Sequence, residues 1–385
     1  MSKELLPEII EEHELNRGTG VEAEDGSDSV LKDPYDPESI RVDTKTFSLR
    51  HIMDMIDEQE LDLAPDFQRR KVWSKGQKSR LIESLLLRIP LPAFYFSTSE
   101  DGLMQVVDGL QRLSTIHDFV RGGPKGEDRF FSLEQLEYLD HTVGGKTYQE
   151  MEGSLWARRI SNTQITVNVV DPQTPEPVKY DIFRRINTAG SPLNAQEVRH
   201  CMTGKRARAI LSKMASAESF NLATHNNLKD HARMADIEVV LRFAAFFFLG
   251  DYHDFKGGMS DLLTATTKLL EKITKAQEAD LLSRFDQAMT NAHRLFGDYA
   301  FRKWPAKDDR KYPINRPLFE VWGIVLSSME WKEIGPLKGS IINAFREELA
   351  WNEGFLRSIS TSTGTTTSVV VRFSTIIKIL EDLDL

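Results

Sequence analysis

The sequence predicts an α/β domain followed by an all-helical domain, so that the chain as a whole is of the α+β class. Short apolar segments typical of strands occur only before about residue 205. Beyond that point, apolar residues recur at helical spacing in one segment after another, and a strongly acidic segment precedes both parts. We therefore expect a tail over residues 1–38, a mixed α/β domain over residues 39–205 and a helical domain over residues 206–385.

The net charge of −9 is concentrated in the predicted tail. Residues 1–38 contain 12 acidic and 3 basic residues, so that the 46 acidic and 46 basic residues of the rest balance. An acidic segment with few aromatic residues is typical of disorder. We expect it to keep the protein in solution, with competition against nucleic acid for a basic surface as the alternative.

The chain has a single cysteine, Cys201, which excludes an intrachain disulfide and indicates a reducing compartment. We expect Cys201 to be a small buried residue. No apolar run approaches the length of a membrane span, and the first residues are too acidic for a signal peptide. These observations predict a cytoplasmic protein without a membrane partner.

Basic charge is concentrated between Gln68 and Arg88, where seven basic residues accompany one acidic residue, Glu83. Ser74 is the predicted N-cap of a helix over Lys75 to Leu87. A basic face can bind a polyanion even on a chain whose overall charge gives no hint of it. The residues that we expect to contact the DNA backbone are Arg70, Lys71, Lys75 and Lys78.

A strand that passes directly into a helix is predicted between Leu103 and Val120. Asp108 is the predicted N-cap of that helix, with Gln111 as the second half of a capping box. Gly109 has no Cβ, so a ligand could reach the backbone there. The N–H groups of the first turn and Arg112 would then form an anion site, whereas a capped helix without a ligand is the alternative. On this stretch alone, the alternative is favoured.

Ile165 to Val170 alternate and are rich in β-branched residues, which predicts another strand. A helix over Glu176 to Ile186 runs into a turn-rich loop over Asn187 to Pro192. Asn194 and Glu197 have the spacing of a capping box and predict the start of another helix.

Three motifs thus combine arginine or amide side chains with a backbone shaped by glycine or proline. They are Gln68-Arg69-Arg70 with Trp73, Asp108 to Arg112, and Arg184-Arg185-Ile186-Asn187. Arginine forks and helix N-termini both bind phosphate oxygens, so the three motifs would form a phosphate pocket if they met in space. Taken singly, each is more often a surface arginine or a helix cap, and Trp73 is more often a core residue than a stacking platform.

Asp108 is the carboxylate of this set that could act on water or hold Mg²⁺. The sequence contains no Gly-x4-Gly-Lys-Ser/Thr loop, no His-Glu-x-x-His, no Gly-x-Ser-x-Gly and no cysteine pair. We therefore predict no protein-built metal site.

Helices are predicted for most of the chain after residue 205. They are Ile210–Ala217, Ile237–Leu249, Ser260–Ile273, Glu278–Phe296, Pro317–Met329, Leu337–Leu349 and Val369–Leu383. The segment Ile237–Leu249 is apolar on every side, which predicts a central buried helix. Arg233, Asp236, Glu238 and Arg242 predict ion pairs along it. The alternative is that the two arginines close over a bound phosphate.

Four groups of residues, in this order and spacing over about residues 44–208, resemble the GmrS-type N-terminal domain of modification-dependent restriction systems. They are Pro65-x-Phe67-Gln68-Arg69-x-x-x-Trp73, Leu81-Ile82-Glu83-Ser84 with Ile89-Pro90-Leu91-Pro92, Val107 to Arg112, and Phe183 to Asn187 with Gly190, Leu193 and Glu197-Val198-Arg199. The domain belongs to the ParB/sulfiredoxin-like superfamily. The family usually has Asp-Gly-Gln-Gln-Arg, so Leu110 replaces a polar residue and removes one hydrogen bond to a ligand.

The resemblance implies a ParB/sulfiredoxin-like fold, nucleotide binding and hydrolysis, and cleavage of foreign or modified DNA. Relatives often carry a His-Asn-His nuclease domain as well, and this sequence shows no such domain. Cleavage would therefore fall to the N-terminal domain or to a separate nuclease or effector protein.

We predict a nucleotide-dependent DNA-processing protein, a candidate NTPase or endonuclease of bacterial defence, that uses a nucleoside triphosphate with or without Mg²⁺. Asp108 and Arg112 are the predicted catalytic residues. The predicted nucleotide-binding residues are Gln68, Arg69, Gly109, Gln111, Arg185 and Asn187. The closest rival is a non-catalytic nucleotide- or DNA-binding sensor that acts through a partner effector, and a purely structural module comes third.

Overall fold

A computed structural model shows two compact units. It describes residues 11–14, 17–22, 40–63, 73–98, 102–123, 130–186, 194–231 and 233–385. One unit comprises residues 31–202, and the other comprises residues 1–30 together with residues 203–385. The boundary after Met202 lies three residues before the predicted one. The assignment of the first 30 residues to the second unit differs from the predicted separate tail.

The strands in the described residues are β1 (Glu11–Glu14), β2 (Arg17–Glu22), β3 (Val42–Ser48), β4 (Leu61–Asp62), β5 (Phe94–Thr98), β6 (Met104–Asp108) and β7 (Gln164–Val170). β1 and β2 form an antiparallel pair. The other five form one mixed sheet in the order β3-β7-β5-β6-β4. β7 is antiparallel to β3 and parallel to β5, whereas β6 is antiparallel to β5 and parallel to β4.

The helices of the unit formed by residues 31–202 are α1 (Leu49–Asp57), α2 (Lys75–Leu86), α3 (Leu110–Arg121), α4 (Asp140–Val143), α5 (Tyr148–Met151), α6 (Leu155–Asn162), α7 (Glu176–Ile186) and α8 (Ala195–Cys201). The predicted N-cap at Ser74 is confirmed, because its hydroxyl accepts the N–H of Gln77. Gln77 also completes a capping box, since the N–H of Ser74 donates to the Gln77 side chain. Apolar residues of the sheet, α1, α2 and α3 form the main core.

The side chain of Glu83 on α2 holds the segment between α3 and α4 in place by hydrogen bonds. Its buried carboxylate accepts the backbone N–H groups of Glu137, Tyr138 and Leu139 at 3.0, 2.7 and 2.9 Å. Burial raises the pKa of Glu83, but the three N–H donors outweigh it and hold that pKa below its usual value. The only acid of the basic segment thus organises a loop.

The helices of the other unit are α9 (Lys205–Ala215), α10 (Glu218–Ala223), α11 (Ala235–Leu249), α12 (Met259–Lys272), α13 (Lys275–Phe296), α14 (Arg316–Ser327), α15 (Trp331–Ile334), α16 (Lys338–Trp351), α17 (Glu353–Ser358) and α18 (Thr366–Glu381), with short 3₁₀ turns at Tyr252–Asp254, Gly297–Tyr299 and Gly335–Leu337. The prediction of a central buried helix is confirmed, because nearly every α11 side chain up to Phe246 is buried. Together with the sheet of the first unit, these helices confirm the predicted α+β class.

A buried ionic network links three helices of this unit. Arg242 on α11 pairs with Glu238 at 2.8 Å and with Glu320 on α14 at 2.7 Å. Glu320 also pairs with Arg372 on α18, and both of these side chains are fully buried. The predicted ion pairing along α11 is confirmed for Arg242. The alternative, that Arg242 closes over a phosphate, is wrong, because two carboxylates already hold its guanidinium.

Part of the predicted tail packs into the helical unit. Val21 is fully buried, and Glu22 is 6% exposed and bonded to residues of that unit. The expectation of disorder over residues 1–38 is therefore wrong for residues 20–22. Residues 1–10, 15–16 and 23–38 of that segment lie outside the described residues. Among the described residues, no helix is both long and apolar enough to cross a bilayer.

Candidate functional site

The site predicted from the sequence centres on the junction of β6 and α3. Asp108 is the last residue of β6 and pairs with Tyr95 on β5. Gly109 is the N-cap of α3, with φ of +94°. The prediction that Asp108 caps the helix is wrong, because its backbone belongs to the strand. Since Gly109 has no side chain, the first turn of α3 begins without a side-chain cap.

Phe94 explains why this position is a glycine. A Cβ added to Gly109 would lie 2.2 Å from Cδ1 of the Phe94 ring, and the positive φ is one that other residues adopt only with strain. The junction therefore needs glycine for both space and backbone conformation.

Arg112 is bonded within the protein. Its Nη2 lies 3.0 Å from Oδ2 of Asp108 and 3.3 Å from the carbonyl oxygen of Ala93, and its Nη1 donates to the carbonyl of Pro92. The guanidinium carbon lies 4.2 Å from the centre of the Phe94 ring. Burial lowers the pKa of Arg112, and Asp108 opposes that effect. Arg112 therefore clamps α3 to the start of β5, whereas we predicted a direct phosphate contact.

Asp108 keeps more exposure than its partner. The side chains of Asp108 and Arg112 are 32% and 14% exposed, so solvent reaches the carboxylate more easily than the guanidinium. Gln111, in the first turn of α3, is half-buried. Leu110 is 6% exposed and packs in the main core, which gives a physical reason for an apolar residue at this position.

The third motif lies beside this junction. Val107, which directly precedes Asp108, packs in a small core with Val170, Phe183 on α7 and Val198 on α8. The predicted capping box of α8 is confirmed, because Asn194 accepts the N–H of Glu197 at 2.8 Å and donates its own N–H to the Glu197 carboxylate at 2.7 Å. The second and third motifs are thus brought to the same end of β6.

Arg185 is held at the surface of α7 by a buried partner. Its Nε lies 2.7 Å from Oδ2 of Asp181, and the two side chains are 72% and 4% exposed. We did not predict Asp181, although its position four residues before an arginine on a helix is a signal for such a pair. The sequence analysis singled out Glu197 and Arg199 but did not predict that they are buried, together with Gln196 and His200, on α8. Cys201, at 3% exposed, is buried as predicted.

Most of the first motif lies outside the described residues, as does Asn187 of the third. The predicted site residues concerned are Gln68, Arg69, Arg70, Lys71 and Asn187. Trp73 is half-buried and packs against the main core, which is the alternative that the sequence favoured. Lys75 is exposed at the start of α2, whereas Lys78 lies 3.8 Å from Asp118 and over the ring of Phe131.

A separate cavity of about 470 Å³ lies at the opposite end of α3. Its rim includes Arg50, Asp54 and Arg121, and Arg121 pairs with Asp54 at 2.6 Å. Gly109, Gln111 and Arg185, the predicted nucleotide-binding residues that the structure describes, do not line it. Within the part of the chain that the structure describes, no three acidic, histidine or cysteine side chains are grouped as metal ligands.

Residues 49–203 match the family model of the GmrSD restriction endonuclease N-terminal domain. The match covers the sheet strands after β3, the β6–α3 junction and both helices beside it. The resemblance inferred from the four motifs is thereby confirmed. No curated protein matches the chain.

Proposed function

We propose, from the match of residues 49–203 to the GmrSD restriction endonuclease N-terminal domain, that the protein is a nucleotide-dependent DNA-processing protein of bacterial defence. The nucleotide is a triphosphate bound at the β6–α3 junction. The observation that carries the proposal is the Asp108–Arg112 pair at an uncapped helix start, with α7 and α8 packed beside it.

The first turn of α3 supplies the phosphate contact in this proposal. Helix N-termini attract anions because their N–H groups point outward and carry the positive end of the helix dipole. Gly109 leaves room for a phosphate to approach the backbone, and Gln111 orients it. Arg185, largely exposed on the neighbouring helix, neutralises charge. Gln68, Arg69 and Asn187 join this set on the strength of the family motif.

Asp108 is the residue that takes part in the reaction, and Arg112 positions the Asp108 carboxylate. One carboxylate oxygen is held by Arg112, and the partly exposed group can hold water or Mg²⁺. A single carboxylate suits Mg²⁺ that is bound mainly through substrate phosphates. Mg²⁺, when bound, would supply positive charge for the transferred phosphoryl group.

The test compares two aspartates, each of which pairs with an arginine of α3. Asp108→Asn keeps the shape of the side chain and removes its charge, so we expect triphosphate hydrolysis to fall by about 10²- to 10³-fold. The control is Asp54→Asn, which breaks the pair with Arg121 at the other end of α3. Hydrolysis and DNA nicking are measured on both variants. Equal activity of the Asp108→Asn variant and the unsubstituted protein would contradict the proposal.

DNA contacts are proposed for the basic face that includes Lys75 and Lys78. Lys75 is exposed, and Lys78 is half-buried beside Asp118. We expect Lys75→Ala to weaken DNA binding for all sequences and to lower the slope of log affinity against log salt by about 1. The control, Lys332→Ala, removes an exposed lysine paired with Glu330 in the other unit. An unchanged slope for Lys75→Ala would remove this residue from the interface.

One observation favours the second candidate, a sensor that binds nucleotide or DNA without turnover. Arg112 is bonded to Asp108 and two backbone carbonyls, so it is not available to stabilise a transition state as the sequence led us to expect. Calorimetry with a triphosphate, followed by a hydrolysis assay at saturation, separates the two. Binding without product formation, with and without DNA, would select the sensor.

A further inference from the structure

Residues 20–22, at the end of β2, lie in a slot of the helical unit and form backbone hydrogen bonds with Ile314. The N–H of Glu22 donates to the carbonyl of Ile314 at 2.9 Å, and the N–H of Ile314 donates to the carbonyl of Gly20 at 2.9 Å. Val21 thus forms a parallel bridge with Ile314, which also bridges Arg302 on its other side. We refer to residues 20–22 as the N-terminal segment.

Side chains recognise both residues of the Val-Glu pair. Val21 is fully buried. One carboxylate oxygen of Glu22 accepts from Nζ of Lys303, and the other accepts from Nδ2 of Asn315 at 3.0 Å. The carbonyl of Glu22 accepts from Nη1 of Arg316 at 2.9 Å.

Lys303 shows that the slot is built to receive an acid. Its side chain is fully buried, and Oγ of Ser360 is its other acceptor, at 2.7 Å. Burial lowers the pKa of Lys303, and Glu22 opposes that effect. A buried ammonium that loses its carboxylate is strongly unfavourable, because the cost of desolvation is no longer compensated. The slot therefore requires an anionic ligand at this position.

The combination of backbone pairing, an apolar pocket and a charged anchor is the way in which sheet-extending sites bind extended peptides. We propose that the helical unit contains a peptide-binding slot, formed around Ile314 and Lys303, whose ligand is the N-terminal segment of the same chain. The slot selects an apolar residue followed by glutamate. The N-terminal segment is thus a ligand that completes the helical unit.

The ligand belongs to a part of the chain that is distant in sequence. Glu22 precedes Lys303 by 281 residues, and residues 31–202, which form the other unit, lie between them in the sequence. A segment connected in this way contributes its own contacts to the slot and can be cut from the chain without dividing the helices around it. The same peptide supplied separately should therefore bind.

The experiment uses the full chain with a protease site inserted after Gly26. After cleavage and removal of the released fragment, a labelled peptide of residues 17–26 is added, and its binding and the Tm of the helical unit are measured. We expect removal of the fragment to lower the Tm by about 5 °C or more and the peptide to restore it. Two peptides serve as comparisons: Glu22→Gln, and one of identical composition and charge in which Val21 and Glu22 are exchanged.

Binding of the Glu22→Gln peptide should be weaker by roughly tenfold or more, since a charge-assisted contact is lost. The exchanged peptide should bind no better. An unchanged Tm after removal of the fragment, failure of the original peptide to restore a lowered Tm, or equal binding of all three peptides would each overturn the proposal. In the uncut chain, Glu22→Gln should lower the Tm. In a chain that already carries Lys303→Met, the same substitution should change the Tm much less, because the ion pair is already lost. Independent effects of the two substitutions would also overturn the proposal.

Discussion

At the scale of single residues, the β6–α3 junction shows what local sequence signals can and cannot predict. Asp108 has a good N-cap sequence, yet strand pairing with Tyr95 extends through it and Arg112 takes its carboxylate. The signal for the pair was present, since an aspartate and an arginine four residues apart often meet. What the sequence could not supply was the pair of carbonyls at Pro92 and Ala93, which fix where the guanidinium lies.

The glycine at this junction gives a prediction at the same scale. Gly109→Ala should destabilise the protein by about 1–2 kcal/mol for the backbone conformation and about 1–3 kcal/mol more for the clash with Phe94. The matched control is Gly102→Ala, which has φ of +83° but open space around the added Cβ. Chemical denaturation measures both. Equal losses would show that the Phe94 ring moves aside without cost.

Glu83 gives a pH-dependent prediction. Its pKa is lower in the folded protein than in the unfolded chain, so the stability it contributes is present above the unfolded pKa of about 4.3. That contribution is lost as the pH falls through the folded pKa. At pH 7, we expect Glu83→Gln to lower the free energy of unfolding by about 1.5–3 kcal/mol, and the difference to shrink below about pH 4.5.

The control for Glu83 is Glu137→Gln. Glu137 is 59% exposed and lies 3.9 Å from Arg80, so its removal should change stability little at any pH. Denaturation curves at several pH values test the comparison. A difference between the unsubstituted protein and Glu83→Gln that stays constant down to pH 3 would contradict the role assigned to the charge.

At the scale of elements, periodicity and capping signals predicted most helices well. The helix after Ser74 ends within one residue of the expected position, and the capping box at Asn194 is confirmed. These signals succeed because they depend on residues within one turn of each other. Between α3 and α6, by contrast, the backbone at Glu137 and Tyr138 is held by a distant partner, Glu83, which no local signal predicts.

The capping box of α8 provides the prediction for this scale. Asn194→Ala should cost about 0.5–2 kcal/mol of stability and also weaken nucleotide binding, because α8 packs beside the β6–α3 junction. Thr274→Ala removes the equivalent box from α13 in the other unit. It should cost a similar amount of stability and leave nucleotide binding unchanged. Calorimetric titration with a triphosphate distinguishes them, and equal binding by both variants would argue against a site next to α8.

At the scale of the whole molecule, the two-part organisation could be predicted but its connectivity could not. The loss of strand signals near residue 205 marks the boundary, because composition and periodicity change there. The strongly negative net charge of residues 1–38 led us to expect that the whole segment is exposed to solvent. The buried position of Glu22 depends on Lys303, which no local pattern could reveal.

The ionic network of the helical unit gives a prediction at this scale. Glu320 joins Arg242 and Arg372 across three helices, so Glu320→Gln leaves buried arginine charge poorly compensated. We expect a loss of about 3–5 kcal/mol in the unfolding of this unit. Glu330→Gln is the control, because Glu330 is 61% exposed in its pair with Lys332 and should contribute about 1 kcal/mol or less. A comparable loss in both variants would show that burial does not set the strength of these pairs.

The position of Glu22 also has a consequence for biosynthesis. Glu22 is synthesised 281 residues before Lys303, its partner in the helical unit. At ordinary rates of translation, this interval lasts about 15 to 60 s. The domain between them has time to fold in that interval, since small domains fold within seconds. The helical unit can close only after Lys303 has been synthesised, when the nascent chain carries both residues of that ion pair.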